Sequence, residues 1–278
     1  MEELLKLEQL NFYYGEHYPA LIDVSATFGV RERVAVLGGN GAGKSTFFLC
    51  CNGVLRPQSG RIFLKGRPIT HAKKDILLLH QAVGLVFQEP DSQIIAATVE
   101  SEVSFGPMNL RLDREEVRRR VNHSLCQMNL EGYQNRAPQY LSGGEKKRVS
   151  IADILAMEPD IILFDEPTAS LDPENIVVLE HTLDELSLAG ITLVVSTHDV
   201  DFAYRFASRA IIFSQGKVIA DAAIDEVFAS EDTLIQAGLC KPSFYAAAEA
   251  LEKRFALDTS IRKPRNSEEF QAYVSRLK

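Results

Sequence analysis

The chain has 278 residues, of which 46% are hydrophobic and 24% charged, a composition typical of a globular protein with one large domain and room for an appendage. Its net charge of −8 argues against nucleic-acid binding through a broad basic surface. The sequence holds no apolar run near the ~18 residues of a membrane-spanning helix, and its N-terminus MEELLKLEQ is too polar for a secretory signal. We therefore predict a cytosolic chain that binds no nucleic acid.

The first predicted elements are strands. Leu, Val, Ile and aromatic residues dominate 4–14 and 20–28 with partial alternation, whereas 33–38 is continuously apolar, which indicates a strand covered on both faces. A glycine-rich turn then leads into an apolar helix over 44–53. The cysteines lack metal-ligand spacing, so reduced thiols packed in a core are favoured over a redox or metal role. They are Cys50, Cys51, Cys126 and Cys240.

The later elements mix strands and helices. Residues 60–69 are predicted to form a hairpin and 83–88 a buried strand, and helical patterns fill 89–157, where Asp113 is expected to cap a helix. After these we predict a strand at 160–167, a helix at 173–190 closed by Gly190, a strand at 191–199 and a hairpin at 209–222 around Gln215–Gly216. Amphipathic helices follow over 224–278, with a basic joint at 261–266.

The segment GGNGAGKST (38–46) matches the pattern GxxxxGK[ST] and lies between a predicted strand and a predicted helix. Its glycines let successive backbone N–H groups turn towards phosphate oxygens, and the helix start adds its positive end. Lys44 is expected to reach the β- and γ-phosphates, while Ser45 offers a hydroxyl to Mg²⁺. This context favours a nucleoside triphosphate site over an incidental glycine turn. The predicted site residues are Gly38, Gly39, Asn40, Gly41, Ala42, Gly43, Lys44, Ser45 and Thr46.

A second acidic element, IILFDEP (161–167), is an apolar strand that ends in two carboxylates. Asp165 can bind Mg²⁺ directly or through water, and Glu166, which points differently, can act on the attacking water. A strand-end Asp often only caps the next helix, and kinases and GTPases share both motifs. The two motifs therefore predict the site without deciding the family.

The segment LSGGE (141–145) resembles the LSGGQ signature of the ATP-binding-cassette (ABC) ATPases. The other motifs of that family stand in the expected order: a Q-loop at Gln88, the Asp165–Glu166 pair, a D-loop at 170–172 and a switch histidine at His198. The resemblance implies an α/β P-loop core with an antiparallel β portion, a helical subdomain at about 89–157 and a C-terminal helical extension. We place the ATP-binding domain at 1–232 and the extension, a candidate dimer contact, at 233–278.

The same resemblance implies the role of each site residue and the cofactors ATP and Mg²⁺. Adenine is expected to stack on Tyr14, and Tyr13 is the second candidate for this role. The alternative for both tyrosines is that they only pack within the strand. The implied catalytic residues are Glu166, His198 and Gln88, the implied Mg²⁺ ligands are Ser45, Gln88 and Asp165, and the implied signature contacts to ATP are Ser142, Gly143 and Gly144. In this family the signature of one subunit closes on the nucleotide of the other, so the resemblance implies a dimer.

Three of these expectations have simpler alternatives. Ser142 and Glu145 fit a plain capping box, although the free N–H groups of that helix start also form an anion site and the two roles are compatible. The KKR run at 146–148 is either functional or a solvated face. Without the order of motifs shared with the family, His198 would be interpreted as an ordinary polar residue at a strand end.

The segment VFQEPDSQIIAATVESEVSFGPMNL (86–110) further resembles the energy-coupling-factor (ECF) importers, and CNGVLRPQSG, LAMEP and STHDVD resemble their cobalt or nickel branch. This implies an ATPase at the cytoplasmic face of the membrane, energising cobalt or nickel uptake. The implied partners are a second ATPase subunit, a transmembrane coupling subunit held near 89–105 and a substrate-specific membrane subunit. A homodimer is the simpler hypothesis, with a paralogous partner as the alternative. Other hypotheses are vitamin uptake, a soluble ABC ATPase and a non-hydrolysing cassette, the last disfavoured by Glu166 and His198.

Five positions depart from the pattern of the family without removing a catalytic group. Asp153 introduces a carboxylate into the signature helix, which is costly if the group is buried without a partner, and Ile95 is expected to reshape the groove for the membrane partner. The departures are Gly39 for Pro or His, Cys51 for Phe, Ile95 for Phe, Asp153 for Gly and Ser170 for Gly.

Overall fold

The computed structural model describes residues 2–15, 17–169, 171–255 and 262–276. The strands are β1 (Glu3–Tyr14), β2 (Tyr18–Gly29), β3 (Arg33–Leu37), β4 (Ser59–Leu64), β5 (Arg67–Ile69), β6 (Val83–Val86), β7 (Ile161–Asp165), β8 (Thr192–Thr197), β9 (Arg209–Ser214) and β10 (Lys217–Ala223). The helices are α1 (Lys44–Asn52), α2 (Lys73–Ala82), α3 (Val99–Asn109), α4 (Arg114–Gln127), α5 (Gly143–Leu155), α6 (Pro173–Leu188), α7 (Val200–Phe206), α8 (Ile224–Ala229), α9 (Glu231–Ala237), α10 (Ser243–Phe255) and α11 (Ser267–Ser275).

The strands form two sheets. One is antiparallel, with the order β2-β1-β4-β5. The other has six strands in the order β10-β9-β3-β8-β7-β6, in which β10 pairs antiparallel with β9 and all other neighbours are parallel. This arrangement confirms the predicted α/β core with an antiparallel portion.

The six-stranded sheet is buried on both faces, which explains the continuously apolar strands. Along β3, Val34 and Val36 face the antiparallel sheet and α1, whereas Ala35 and Leu37 belong to the core on the opposite face, beneath the other helices. Successive strand residues point to opposite sides, so both sets must be apolar when both sides are covered. The packing therefore fixes β3 firmly just before the glycine-rich loop.

Local sequence signals explain most helix ends. Asp113 caps α4 as predicted, accepting hydrogen bonds from the N–H groups of Glu115 and Glu116. Gly190 follows α6 with φ at 92°, the left-handed conformation that closes many helices. The helix α2 was not predicted, because its buried side chains are few and include the polar Asp75.

The cysteine prediction is partly wrong. Cys50 and Cys51 are buried, and burial raises the pKa of Cys50 to about 12, which makes it an inert thiol. Cys126 and Cys240 are instead exposed on the surface. Both lie near helix ends, where the apolar pattern is weak.

Polar contacts join the C-terminal helices to one another and to the rest of the protein. Lys263 donates to both carboxylate oxygens of Glu252, at 2.6 and 2.5 Å, and Tyr273 donates to the same carboxylate. Arg265 donates to the Ala207 carbonyl at 3.1 Å. The basic joint predicted at 261–266 therefore folds back onto the protein from residue 262 onward, while residue 261 lies outside the described residues. None of the helices in the described part of the chain combines the length and the apolar character that a membrane crossing requires.

Candidate functional site

Four parallel strands end at one edge of the six-stranded sheet, and each leads into one predicted site segment. The loop from Gly38 follows β3, Gln88 follows β6, Asp165 ends β7 and His198 follows β8. Ligands of open α/β sheets bind outside the carboxyl ends of the strands. The fold thus brings together residues that are far apart in the sequence.

Two glycines of the glycine-rich loop are packed so closely that neither position has room for a side chain. A Cβ atom at Gly38 would lie 2.3 Å from the carbonyl oxygen of Phe213, and one at Gly43 would lie 2.5 Å from that of Ala20. Gly43, with φ at 108°, precedes α1 as its N-cap and offers no side-chain acceptor. The first N–H groups of α1 therefore remain available to an anion, as the phosphate-loop prediction requires.

Lys44 closes this loop from the inside. Its ammonium donates to the carbonyl of Gly38 at 2.7 Å and to that of Gly39 at 3.3 Å. The same nitrogen lies 3.6 Å from a carboxylate oxygen of Glu166. The cation is thus placed between the phosphate loop and the predicted catalytic base.

Glu166 has a strained backbone that separates its side chain from that of Asp165. Its φ is 42°, in a left-handed region that costs a residue with a Cβ about 1–2 kcal/mol. Its N–H group donates to the Ser196 carbonyl at 3.0 Å, whereas Asp165 accepts from the Ser196 hydroxyl at 2.5 Å. Two adjacent carboxylates therefore point to different places, and each can have its own task.

His198 completes the cluster from β8. Its ring Nδ1 lies 3.0 Å from a carboxylate oxygen of Glu166, which is buried, while the histidine side chain itself is 65% exposed. One ring nitrogen faces the carboxylate, so the other is left for a ligand oxygen. The site therefore groups Lys44, Glu166 and His198 around one point at the sheet edge.

Of the two candidate tyrosines, Tyr14 lies beside the phosphate loop. Its hydroxyl is 3.2 Å from the Thr46 hydroxyl in the first turn of α1, and its ring packs edge-on against Phe12. The N–H and carbonyl groups of Tyr13 are instead both hydrogen-bonded to the side chain of Gln58. The position of Tyr14 supports its predicted stacking role, which stays a prediction.

The predicted signature forms the exposed start of α5. Ser142 and Glu145 make the full capping box, with each side chain bonded to the backbone N–H of the other, and Tyr133 donates to Glu145 at 2.8 Å. Ser142 and Gly143 are exposed, so their surface is free to receive a ligand. Of the KKR run, Lys146 pairs with Asp91 and Lys147 is buried, so these two lysines do not form a solvated face.

Comparison with known proteins identifies the family. The profile of the family described as "ABC transporter" matches residues 21–169. The energy-coupling factor transporter ATP-binding protein EcfA2 of Methanospirillum hungatei is 42% identical over 254 residues, 91% of this chain but only 64% of the relative. EcfA of Methanocaldococcus jannaschii is 42% identical over 251 residues, 90% of each protein. The chain belongs to the ABC transporter family, as an ATP-binding protein of the ECF type.

Solved ABC structures agree with this assignment. The structure of cbiO1 from Clostridium perfringens, described as part of the ABC transporter complex cbiONQ, has a TM-score of 0.74 and 39% identity, covering 84% of this chain and 94% of that one. A dimeric ATP-binding cassette in a post-hydrolysis state with ADP and Pi has a TM-score of 0.70 and 29% identity, covering 80% and 99%. The predicted family and P-loop fold are therefore confirmed, and the chain is an ATPase that uses ATP with Mg²⁺.

The residues of this ABC ATPase fit the metal. The predicted ligand set consists of the Ser45 hydroxyl, the Gln88 side-chain carbonyl and the Asp165 carboxylate, all hard oxygen donors of the kind Mg²⁺ prefers. Ser45 and Gln88 are exposed at the sheet edge, where open coordination positions suit a nucleotide-bound ion. Their assignment to Mg²⁺ remains a proposal.

Sequence reasoning missed two residues that support the site. Ser196 bonds both to Asp165 and to the N–H of Glu166, and its place opposite Asp165 in the β7–β8 register is the signal that could have found it. Gly216, at the tip of the β9–β10 hairpin, donates to the Ala42 carbonyl of the phosphate loop at 3.0 Å. The hairpin was predicted, but its contact with the loop depends on long-range packing.

The unusual positions have different consequences. Asp153 has a partner, since the amide of Gln93 lies 3.3 Å from its carboxylate. Ile95 is 77% exposed, and its N–H donates to the buried carboxylate of Glu102. Gly39 lies near the end of α9, while Ser170 falls outside the described residues.

Proposed function

We propose that this ECF-type ATPase drives uptake of cobalt or nickel and that it does so as a dimer with transmembrane partners at the cytoplasmic face of the membrane. Three observations support the metal as cargo: the likeness to cbiO1 of the complex cbiONQ, and the CNGVLRPQSG and STHDVD segments that resemble the cobalt or nickel branch. The groove near 89–105 is the proposed seat of the coupling subunit. Exposed apolar side chains, Ile95 and Phe105, lie in this segment.

The cluster of Lys44, Glu166 and His198 carries the proposed hydrolysis. The phosphate loop and Lys44 bind the triphosphate, and Tyr14 stacks on the base. Ser45, Gln88 and Asp165 would hold Mg²⁺, which supplies charge neutralisation on the phosphate oxygens. Glu166, buried between a cation and an imidazole, polarises the attacking water, and His198 donates to the oxygen on which charge develops.

The exposed signature supports the proposed dimer. Gly143 and Gly144 place their N–H groups at a helix start, beside the exposed side chain of Ser142, and a helix start of this kind can bind an anion. In the proposed dimer each signature closes on the γ-phosphate held by the other subunit. ATP binding then closes the pair, and hydrolysis reopens it.

The test uses the protein with its co-purified membrane subunits in lipid vesicles. We expect Glu166→Gln to retain ATP binding while turnover and ATP-driven uptake of labelled cobalt or nickel fall by roughly 10²–10⁴-fold, because the water loses its base. Glu174→Gln is the matched control, since Glu174 is an exposed glutamate in the next helix. Wild-type turnover in Glu166→Gln would remove Glu166 from this role, and uptake of a vitamin instead of either metal would refute the proposed cargo.

A further inference from the structure

Lys147 is a buried cation that the proposed mechanism does not use. Its side chain lies in the second turn of α5, only 3% exposed, directly after the signature. Burial lowers the pKa of this ammonium to about 8, against the opposing influence of Glu89 and Asp165. A buried ammonium needs polar partners to offset its desolvation, so its position demands an explanation.

The partners of Lys147 are two successive backbone carbonyls of the Q-loop. Its Nζ atom donates to the oxygen of Phe87 at 2.9 Å and to the oxygen of Gln88 at 3.0 Å. These oxygens belong to the two peptide groups on either side of the Gln88 Cα atom. Because each peptide group is planar, fixing both of them fixes the direction of the Cα–Cβ bond between them. The buried ammonium thus constrains the direction in which the exposed Gln88 side chain leaves the backbone.

Neighbouring contacts attach the rest of this segment to the same helix. Lys146 pairs with Asp91 at 2.7 Å. Gln93 donates to the Ser150 carbonyl at 3.0 Å and accepts from the N–H of Phe87 at 3.3 Å. Positions 146, 147 and 150 share one side of a helix, so the segment 87–93 lies along α5. Lys147 is the contact next to Gln88.

We propose that Lys147 is a positioning residue that aims Gln88 at the Mg²⁺ of the nucleotide and joins the Q-loop of each chain to its own signature helix. The proposal rests on the function proposed above, in which Gln88 is a metal ligand. Lys147 touches neither nucleotide nor metal and acts only through Gln88. Removing it leaves the phosphate loop intact but releases both peptide groups that orient the ligand.

The experiment compares Lys147→Met with Lys146→Met in the complete complex. Methionine keeps the length of the side chain without its donors, and Lys146→Met removes a neighbouring charge that binds the loop only through an exposed ion pair. Two quantities are measured: Mn²⁺ binding to the ATP-loaded protein by electron paramagnetic resonance, and binding of a fluorescent ATP analogue without metal. We expect Lys147→Met to weaken Mn²⁺ binding about tenfold, as loss of an outer-shell partner does, with metal-free nucleotide binding unchanged and Lys146→Met like the wild type.

A double-mutant cycle separates this inference from the proposed function. Because Lys147 acts through Gln88, Lys147→Met combined with Gln88→Ala should bind Mn²⁺ no more weakly than Gln88→Ala alone. If Gln88→Ala leaves Mn²⁺ binding unchanged, the proposed ligand role of Gln88 is wrong. If Gln88→Ala weakens it but Lys147→Met does not, or if the two effects add fully, only the positioning role is wrong. Should Lys147→Met fail to fold, Lys147→Leu, which also lacks a hydrogen-bond donor, is held to the same criteria.

Discussion

Gly216 shows how a single residue outside the phosphate loop can support that loop. Its N–H donates to the Ala42 carbonyl at 3.0 Å, and its own carbonyl accepts from Ile22 at 2.7 Å. Its φ is 76°, and a Cβ atom there would lie 2.9 Å from the Ala20 carbonyl oxygen. The hairpin tip therefore links β2 to the loop through a position that only glycine fills without strain.

We expect Gly216→Ala to lower the free energy of unfolding by about 2–4 kcal/mol, since it adds a close backbone contact to the cost of a positive φ. Gly66→Ala is the control, because Gly66 has φ at 74° with nothing within 4 Å of its Cβ position. It should cost only about 1 kcal/mol. Urea denaturation of both variants measures the difference. Equal losses would show that the contact behind the loop is unimportant.

The site residues that sequence could predict are those with a local pattern. Asp165, Glu166 and His198 each end or follow an apolar strand, and Lys44 ends a glycine motif, so their meeting at one sheet edge follows from parallel polarity. The contact of Lys44 with Glu166 could not be predicted, because Lys44 begins α1 after β3 and Glu166 follows β7, and the order of these strands in the sheet is set by packing. The strained φ of Glu166 likewise could not be predicted from the sequence, because glutamate has no preference for a positive φ.

At the scale of elements, predictability follows how completely an element is buried. The strands β3, β7 and β8 were predicted from continuous apolar runs, since every residue from Ile161 to Asp165 is buried and so is every residue of β8. The helix α2 buries only Asp75, Leu79 and Ala82, so its pattern was too weak to detect. In a partly exposed helix few positions must be apolar, so the hydrophobic pattern that would predict the helix is weak.

The signature helix α5 also carries a titratable group in its last turns. The pKa of Asp153 is raised to about 7, chiefly by burial, with nearby Glu102 adding to the rise and the Gln93 amide opposing it. In the unfolded chain an aspartate has a pKa of about 3.9. The folded protein therefore binds this proton more tightly, and the stability that protonation provides is present at low pH and lost as the pH rises through about 7.

We expect Asp153→Asn, which cannot ionise, to escape this loss. Its free energy of unfolding should match the wild type near pH 4 and exceed it by on the order of 2–4 kcal/mol above pH 7. Urea denaturation at several pH values measures the two curves, with Asp232→Asn at an exposed helix position as the control. Parallel curves for Asp153→Asn and wild type would show that the carboxyl is not protonated preferentially in the folded state.

At the scale of the whole molecule, the two halves of the proposed ATP site lie at different places in each chain. The phosphate loop follows β3, whereas the signature starts α5, where its hydrogen bonds to Glu145 stay within the helix start. In the proposed dimer these halves meet across two subunits, which gives two sites related by symmetry. Chains with different defects should therefore complement each other.

We expect Ser142→Arg and Lys44→Ala each to abolish turnover, by blocking the signature and by removing the phosphate-loop cation. When the two variants are mixed in equal amounts and allowed to exchange subunits, half of the dimers contain one chain of each variant. In such a dimer, one of the two sites joins an intact phosphate loop to an intact signature. If the two sites act independently, ATPase activity should return to roughly a quarter of the wild type. Mixing Ser142→Arg with a chain that carries both changes is the control, because every signature in that mixture is blocked. No recovery in the first mixture would mean that the signature acts on the nucleotide of its own chain.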